Sequence, residues 1–308
     1  MQIFGGSAGI ADPIGPYAVV IGNFDGFHLG HQMLIEEVKR RAHSDALPTL
    51  AYTFHPHPAS VLAAEGGPPL IEPLELRVER LAHAGFDATL IEPFSTAFAS
   101  LSPEEFLSGI MSRTLQARHI VVGENFRYGH KAAGNVKLMR DRGHALGFDA
   151  VGLPMVVVNG APVSSTRIRR ALRDGDVALA TALLGRPFAV TGLVMRGDQR
   201  GTEIGFPTAN VATYNELLPC EGVYAARIGA EFRGHPAVVN IGFAPTFSRS
   251  QLKIEAHLLD FESRPLYGKT MEVQFVERIR RERRFDSTES LVQQIAEDVE
   301  RTRRVLHA

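Results

Sequence analysis

The hydrophobic pattern of the chain changes character at Arg186-Pro187, and no other feature constrains the fold as strongly. Before that point, strand-like apolar runs at 18–22, 50–54, 88–91, 119–123 and 151–153 alternate with helical patterns at 29–41, 76–84 and 135–146. A further helix is predicted from Ser102-Pro103-Glu104-Glu105 to about residue 115. It opens with an N-cap serine, a proline at the first helical position and a capping-box glutamate. Alternation of this kind predicts parallel strands covered by helices on both faces. Ser165 is predicted to cap a helix over 166–173, and 177–184 forms another, ended by Gly185. Beyond the boundary, strand-like runs at 188–195, 223–228, 237–241, 253–259 and 271–275 have no helical pattern between them. That predicts an antiparallel barrel or sandwich. The last helical pattern puts Leu291, Ile295, Val299, Thr302 and Leu306 on one stripe, which should dock on the second domain. Two domains are expected, 1–185 and 186–308.

Composition narrows the function classes. A length of 308 residues suits two domains, and 44% hydrophobic with 22% charged residues is ordinary for a globular protein. A formal net charge of −1 gives no broad attraction for nucleic acid or an anionic membrane, so any phosphate recognition must be local. Cys220 is the single cysteine, which excludes an intrachain disulfide and a cysteine-rich zinc site. Residues 1–10 lack the basic start and long apolar stretch of a signal peptide, and no apolar run approaches the roughly 18 residues needed to span a bilayer. A cytoplasmic enzyme is expected.

The segment Gly22-Asn23-Phe24-Asp25-Gly26-Phe27-His28-Leu29-Gly30-His31 follows a strand and opens a helix. Small residues there let the backbone approach a ligand, and a helix N-terminus favours bound phosphate. His28 and His31 stand three apart, so both imidazoles can face one anion. Such a site suits attack on the α-phosphorus of a nucleoside triphosphate, with charge stabilisation and positioning as the catalytic means. A lone His-x-x-His is more often a surface pair, but here the glycines, the strand–turn–helix context and both histidines coincide.

This segment resembles the His-x-Gly-His signature of the nucleotidyltransferase superfamily. In its longer form it is similar to the bacterial bifunctional riboflavin kinase/FMN adenylyltransferase (FAD synthetase) family. Further matching segments follow in order: Thr53-Phe54-His55-Pro56-His57-Pro58, Val122-Gly123-Glu124-Asn125-Phe126-Arg127-Tyr128-Gly129, and Val163-Ser164-Ser165-Thr166-Arg167-Ile168-Arg169. The resemblance implies an N-terminal doubly wound parallel-sheet nucleotidyltransferase domain and a C-terminal antiparallel β-barrel domain with a terminal helix. It implies that His28 and His31 act in adenylyl transfer from ATP to FMN. Gly22, Asn23, Phe24, Asp25, Gly26, Gly30, Asn125 and Arg127 would then bind nucleotide or flavin. Ser164, Ser165, Thr166 and Arg169 would bind phosphates at the start of a helix. A metal role for His55 and His57 is set aside because no carboxylate partner lies near them in sequence. His55 stands where many relatives carry an acidic residue.

In the second half, Gly201-Thr202-Glu203-Ile204-Gly205-Phe206-Pro207-Thr208-Ala209-Asn210 contains no Gly-Lys-Ser/Thr, so the common P-loop is absent. Read alone, it is a glycine–proline turn with two polar capping residues. Thr208 and Asn210 also offer oxygen ligands suited to Mg²⁺. Pro207-Thr208-Ala209-Asn210 resembles the Pro-Thr-Ala-Asn motif of riboflavin kinases. It is followed by Gly222-Val223-Tyr224, Asn240-Ile241-Gly242, Pro245-Thr246-Phe247 and Glu255-Ala256-His257-Leu258-Leu259-Asp260-Phe261. The resemblance implies that Gly205, Phe206, Pro207, Thr208 and Asn210 bind nucleotide and that Thr208 and Asn210 hold MgATP. Glu255 becomes the base for the riboflavin 5′-hydroxyl. Riboflavin, FMN, FAD and ATP are the implied ligands, with Mg²⁺ as cofactor. Ala244 departs from the arginine common in relatives, with Arg249 as a possible substitute. The basic run Ile279-Arg280-Arg281-Glu282-Arg283-Arg284-Phe285 is expected to be a solvated face or an ion-pair network rather than a nucleic-acid surface.

Overall fold

The computed structural model describes residues 1–196, 201, 204–244, 251–261 and 266–307. Its contacts divide into two compact units, Met1–Ser164 and Ser165–Ala308.

The first unit is built on β1 (Gln2–Phe4), β2 (Tyr17–Ile21), β3 (Thr49–His55), β4 (Ala88–Pro93) and β5 (Ala117–Gly123). Two short ladders, β6 (Arg127–Tyr128) with β7 (Gly134–Asn135) and β9 (Val157–Val158) with β10 (Ala161–Pro162), flank β8 (Asp149–Leu153) in the chain. The main sheet is wholly parallel in the order β1-β4-β3-β2-β5-β8. Its helices include α1 (Leu29–Ser44), α2 (Pro58–Leu62), α3 (Leu74–His83), α4 (Thr96–Ala99), α5 (Pro103–Glu105) and α6 (Val136–Leu146). Val19, Ile21, Leu50 and Tyr52 belong to one apolar cluster, and Ala18, Val20 and Ala51 to another. Alternate residues of the same strands thus bury both faces of the sheet, as a parallel sheet requires. Strand order reverses at β2, whose neighbours are β3 on one side and β5 on the other. Such a switch point opens a crevice at the carboxyl ends of the strands. The Gly22–His31 segment leaves β2 there.

Ser102 makes the expected capping box with Glu105, but the helix that follows changes form. Phe106–Thr114 is a π-helix. Phe106, Leu107, Ile110, Met111 and Leu115 are all buried. Their spacing of four to five residues is wider than an α turn, and the looser winding keeps all five on the core side.

In the second unit, α7 (Ser165–Asp174) and α8 (Val177–Leu184) precede a closed antiparallel barrel. Its strands are β11 (Phe188–Met195), β12 (Ala209–Thr213), β13 (Gly222–Ile228), β14 (His235–Ala244), β15 (Gln251–Leu258) and β16 (Thr270–Arg280), in the order β11-β12-β15-β14-β13-β16. The barrel is the form that the resemblance implied, and it resolves the alternatives that the strand pattern alone left open. It also contains β12, a strand that no apolar run announced. α8 packs on β11 and β16, and the Cys220 N–H donates to the Leu172 carbonyl of α7 at 3.0 Å. The terminal helix α9 (Thr288–His307) lies on the barrel through Val299, Thr302 and Leu306. No helix among the described residues is long and apolar enough to cross a membrane.

Candidate active sites

The first site grows from the end of β2. Phe24 and Phe27 hold positive φ angles of 51° and 46°, costly for bulky residues and concentrated at functional turns. Gly26 has φ +82°, and a Cβ there would meet Ile71 at 3.0 Å. Asp25 is buried, and its Oδ1 accepts from the amides of Ile71 (2.9 Å) and Glu72 (3.2 Å). Its carboxylate therefore fixes the turn to the segment leading into α3.

His28 is the N-cap of α1, its Nδ1 accepting from the His31 N–H at 3.3 Å. That bond leaves the proton of the neutral ring on Nε2, free to donate. The His28 and His31 rings stack at 3.6 Å between centroids, 12° from parallel, with the Phe24 ring edge-on to His31. A side chain at position 30 would begin 3.2 Å from the His28 ring, so glycine there leaves the imidazole its place. Burial holds His28 down to about 4. Burial first, then the neighbouring His28 and Arg77, hold His31 well below the ordinary histidine range. Both rings are neutral donors at neutral pH, beside the first-turn amides of a 16-residue helix.

Arg77 of α3 was not singled out by sequence. Its side chain is 1% exposed, and its Nη1 donates to the Asn23 carbonyl at 2.6 Å and the Phe54 carbonyl at 3.3 Å. A cavity of about 680 Å³ opens in the same unit, walled by Phe54, Phe94, Phe98, Phe126 and Tyr128. Asn23, Asn125 and Arg127 add polar groups to that wall. A slot of this size, with aromatic faces and few polar groups, suits a planar heteroaromatic ring. His57 caps α2, its Nδ1 accepting from the Ala59 N–H at 3.1 Å and its Nε2 lying 3.4 Å from the Asn23 amide nitrogen. His55 is exposed at the end of β3. Ser164 ends the first unit; Ser165, Thr166 and Arg169 belong to α7 of the second, with Arg169 buried.

The second site follows from strand register. Asn210 of β12 stands opposite Glu255 of β15, which stands opposite Asn240 of β14. Directly paired residues of a sheet share a face, so these three side chains form one rung. Asn240 in turn pairs with Val223, and Val223 with Arg280. The next rung, Ala209, Ala256 and Val239, is buried inside the barrel. The Glu255 rung therefore faces outward, into a cavity of about 410 Å³ that Leu291, Ile295 and Asp298 of α9 help to enclose.

Gly201, Phe206 and Thr208 also line that cavity. Gly205 precedes Phe206 at φ +88°, and the Phe206 N–H donates to the Gly201 carbonyl at 2.8 Å. His257 of β15 donates from Nδ1 to the Pro207 carbonyl at 2.9 Å, tying the Pro-Thr-Ala-Asn loop to the strand of Glu255. Thr208 and Asn210 supply hard oxygen donors on one wall. No group of three or more His, Cys, Asp or Glu suited to a metal occurs among the described residues. Two such oxygen donors are compatible with a hard cation that takes few protein ligands and fills its shell with phosphate and water.

The run 279–285, expected to be a solvated face or ion-pair network, contributes Arg280, Glu282, Arg283 and Phe285 to the cavity wall. Arg280 Nε donates to both carboxylate oxygens of buried Asp298, at 3.0 and 2.9 Å, and Arg283 lies over the Phe285 ring at 4.7 Å. Glu282 is pushed up by burial, by its bond to Glu221 and by the charge of Glu255. Asn240, Glu282 and Ile295 were not foreseen as site residues, because only register and the docking of α9 bring them together. Thr202, Glu203, Pro245, Thr246, Phe247 and Arg249 lie outside the described residues, and so does the side chain of Ala244.

Comparison with known proteins separates the same two regions. Residues 13–167 match the family described as FAD synthetase, and residues 184–306 match riboflavin kinase. A bifunctional riboflavin kinase/FMN adenylyltransferase of Escherichia coli (strain K12) is 37% identical over 281 residues, covering 91% of this chain and 90% of that one. The protein so named from Bacillus subtilis (strain 168) is 39% identical over 290 residues, with 91% and 89% covered. Among solved structures, one from Streptococcus pneumoniae described as a macrolide-efflux protein superposes with a TM-score of 0.88 at 30% identity. It covers 98% of this chain and 99% of its own.

Proposed function

This chain belongs to the bifunctional riboflavin kinase/FMN adenylyltransferase family, and on that premise we propose which residues carry each reaction. It phosphorylates riboflavin to FMN with release of ADP, and it transfers the adenylyl group of a second ATP to FMN, giving FAD and pyrophosphate. The functional domains in this reading are 1–185 for adenylylation and 186–308 for phosphorylation; the family matches span 13–167 and 184–306. Both reactions take place in the cytoplasm, the compartment that supplies ATP.

In the kinase site, Glu255 is the general base. It aligns the riboflavin 5′-hydroxyl and accepts its proton as oxygen attacks the γ-phosphorus and ADP leaves. Thr208 and Asn210 hold the metal–ATP complex, with Gly205, Phe206 and Pro207 shaping the nucleotide wall. Mg²⁺, when bound, neutralises charge on the phosphate oxygens. The observation that carries this assignment is the rung that holds Glu255 between Asn210 and Asn240 on the wall of one cavity.

In the adenylylation site, an FMN phosphate oxygen attacks the α-phosphorus of ATP and pyrophosphate leaves. His28 and His31 donate hydrogen bonds to the charge that builds on the phosphates, and the amides of α1 add their dipole. Gly22, Asn23, Phe24, Asp25, Gly26 and Gly30 shape the turn that brings them there. Asn125 and Arg127 belong to the flavin slot. The family resemblance supports Ser164, Ser165, Thr166 and Arg169 as phosphate-binding residues at the start of α7.

Incubating the purified chain with riboflavin or with FMN, each with MgATP, tests the reading. FMN and FAD are expected from the first mixture and FAD with pyrophosphate from the second. Product from only one substrate would remove the other assignment.

A further inference from the structure

Arg77 sits on a helix that covers a sheet, where a charged residue ordinarily points to water. Instead it is 1% exposed. A buried guanidinium is costly unless well bonded, so its retention calls for a use.

Its contacts indicate one. The carbonyls of Asn23 and Phe54 that share Nη1 stand at the carboxyl ends of β2 and β3, and Thr53 Oγ1 lies 3.4 Å from the same nitrogen. One donor thus ties the start of the histidine turn to the neighbouring strand end. The tie is reciprocated: Asp25 of the turn accepts from the amides of Ile71 and Glu72, which lead into α3. Arg77 Nε and Nη2 have no hydrogen-bond partner among the described residues, so its charge is only partly met by dipoles. Asp25, Glu72 and Glu75 lie around it. The charged or titratable groups that act on His31 are His28, stacked from the N-cap of α1, and Arg77 from α3, with the Phe24 ring on its edge.

We propose that Arg77 is a positioning residue of the adenylyl-transfer site, locking the Asn23–Phe24 turn against the end of β3 and setting a positive charge behind the paired imidazoles. This rests on the adenylylation reading above. The charge also adds to burial and to His28 in holding His31 below the ordinary histidine range, so removing it lets His31 take up a proton at somewhat higher pH.

The full chain carrying Arg77→Met or Arg77→Lys is assayed for adenylylation of supplied FMN and for riboflavin phosphorylation. In Arg77→Met, kcat for FAD formation is expected to fall about 10²-fold, the scale of a small misplacement at a reacting centre. KM for FMN and ATP should stay within about threefold, since the side chain is 1% exposed and offers a ligand almost no surface. The acid limb of FAD formation should move to higher pH. Arg77→Lys should regain about tenfold, keeping the charge and losing the fork. Riboflavin phosphorylation should match wild type in both, and a circular dichroism spectrum and thermal melt like those of wild type show that the first unit is folded.

Arg77→Met with wild-type kcat overturns the proposal. So does an equal loss in Arg77→Lys and Arg77→Met with the acid limb of Arg77→Met unmoved, which marks a purely structural role. If Arg77→Met does not fold, Arg77→Lys decides: a lowered kcat at constant KM supports the role, and wild-type kcat removes it. Wild-type protein that makes no FAD from FMN sinks the adenylylation reading itself.

Discussion

His28 does two jobs with one ring: Nδ1 caps α1, and Nε2–H remains for the ligand. Asparagine is a good N-cap, so His28→Asn should keep the helix and lose the donor. FAD formation is expected to fall by roughly 10²-fold or more, the scale of removing one donor to developing charge. The same variant tests the buried ring through stability. His28 is held down to about 4, so the native chain resists a proton that the unfolded chain accepts below about 6.5. Stability that the neutral ring provides is therefore lost as pH falls from about 6.5 toward 4. Denaturant unfolding across that range should show a shallower loss in His28→Asn than in wild type. In the other unit, Glu255→Gln should lower riboflavin phosphorylation by roughly 10² to 10⁴, measured as FMN released. His28 and Glu255 were legible in the sequence because each sits inside a dense local pattern. Arg77 was not, since its burial depends on which face of α3 meets the sheet, and nothing within a few residues of it records that.

Elements were legible where local chemistry decides them. Ser102 and Glu105 exchange the expected hydrogen bonds, the Ser102 hydroxyl accepting from Glu105 N–H at 3.2 Å and the carboxylate accepting from Ser102 N–H at 2.8 Å. Ser102→Ala should cost about 1 kcal/mol of stability, read as a lowered Tm. The π winding after it was hidden, because it answers to the core that receives Phe106 and Met111. β12 was hidden too: Ala209–Thr213 is short and alternates buried with exposed residues, and its pairing with β15 gives it definition. The basic run 279–285 was expected to be a solvated face or an ion-pair network, and α9 supplies Asp298, 18 residues on, to pair with Arg280. Breaking that pair by Asp298→Ala should destabilise the chain by about 3 kcal/mol and raise KM for riboflavin, as the α9 wall loosens. Adenylylation of FMN should persist, which kinetics on the two substrates will show.

At the scale of the whole molecule, the change of pattern at Arg186-Pro187 announced two architectures, and each is found with its own core and its own cavity. Alternating strands and helices forecast the parallel sheet because helical crossovers leave few other ways to pair. Barrel closure was foreseen only through the resemblance, since a strand run alone does not state whether its ends meet. Two chemistries on separate residue sets should be lost separately. The most direct test gives His28→Asn and Glu255→Gln either riboflavin or FMN, with MgATP, and identifies the products. His28→Asn should convert riboflavin to FMN and stop, while Glu255→Gln should leave riboflavin nearly untouched and convert supplied FMN to FAD. FMN made by Glu255→Gln at the wild-type rate, or FAD made by His28→Asn at the wild-type rate, would contradict the assignment of one chemistry to each site.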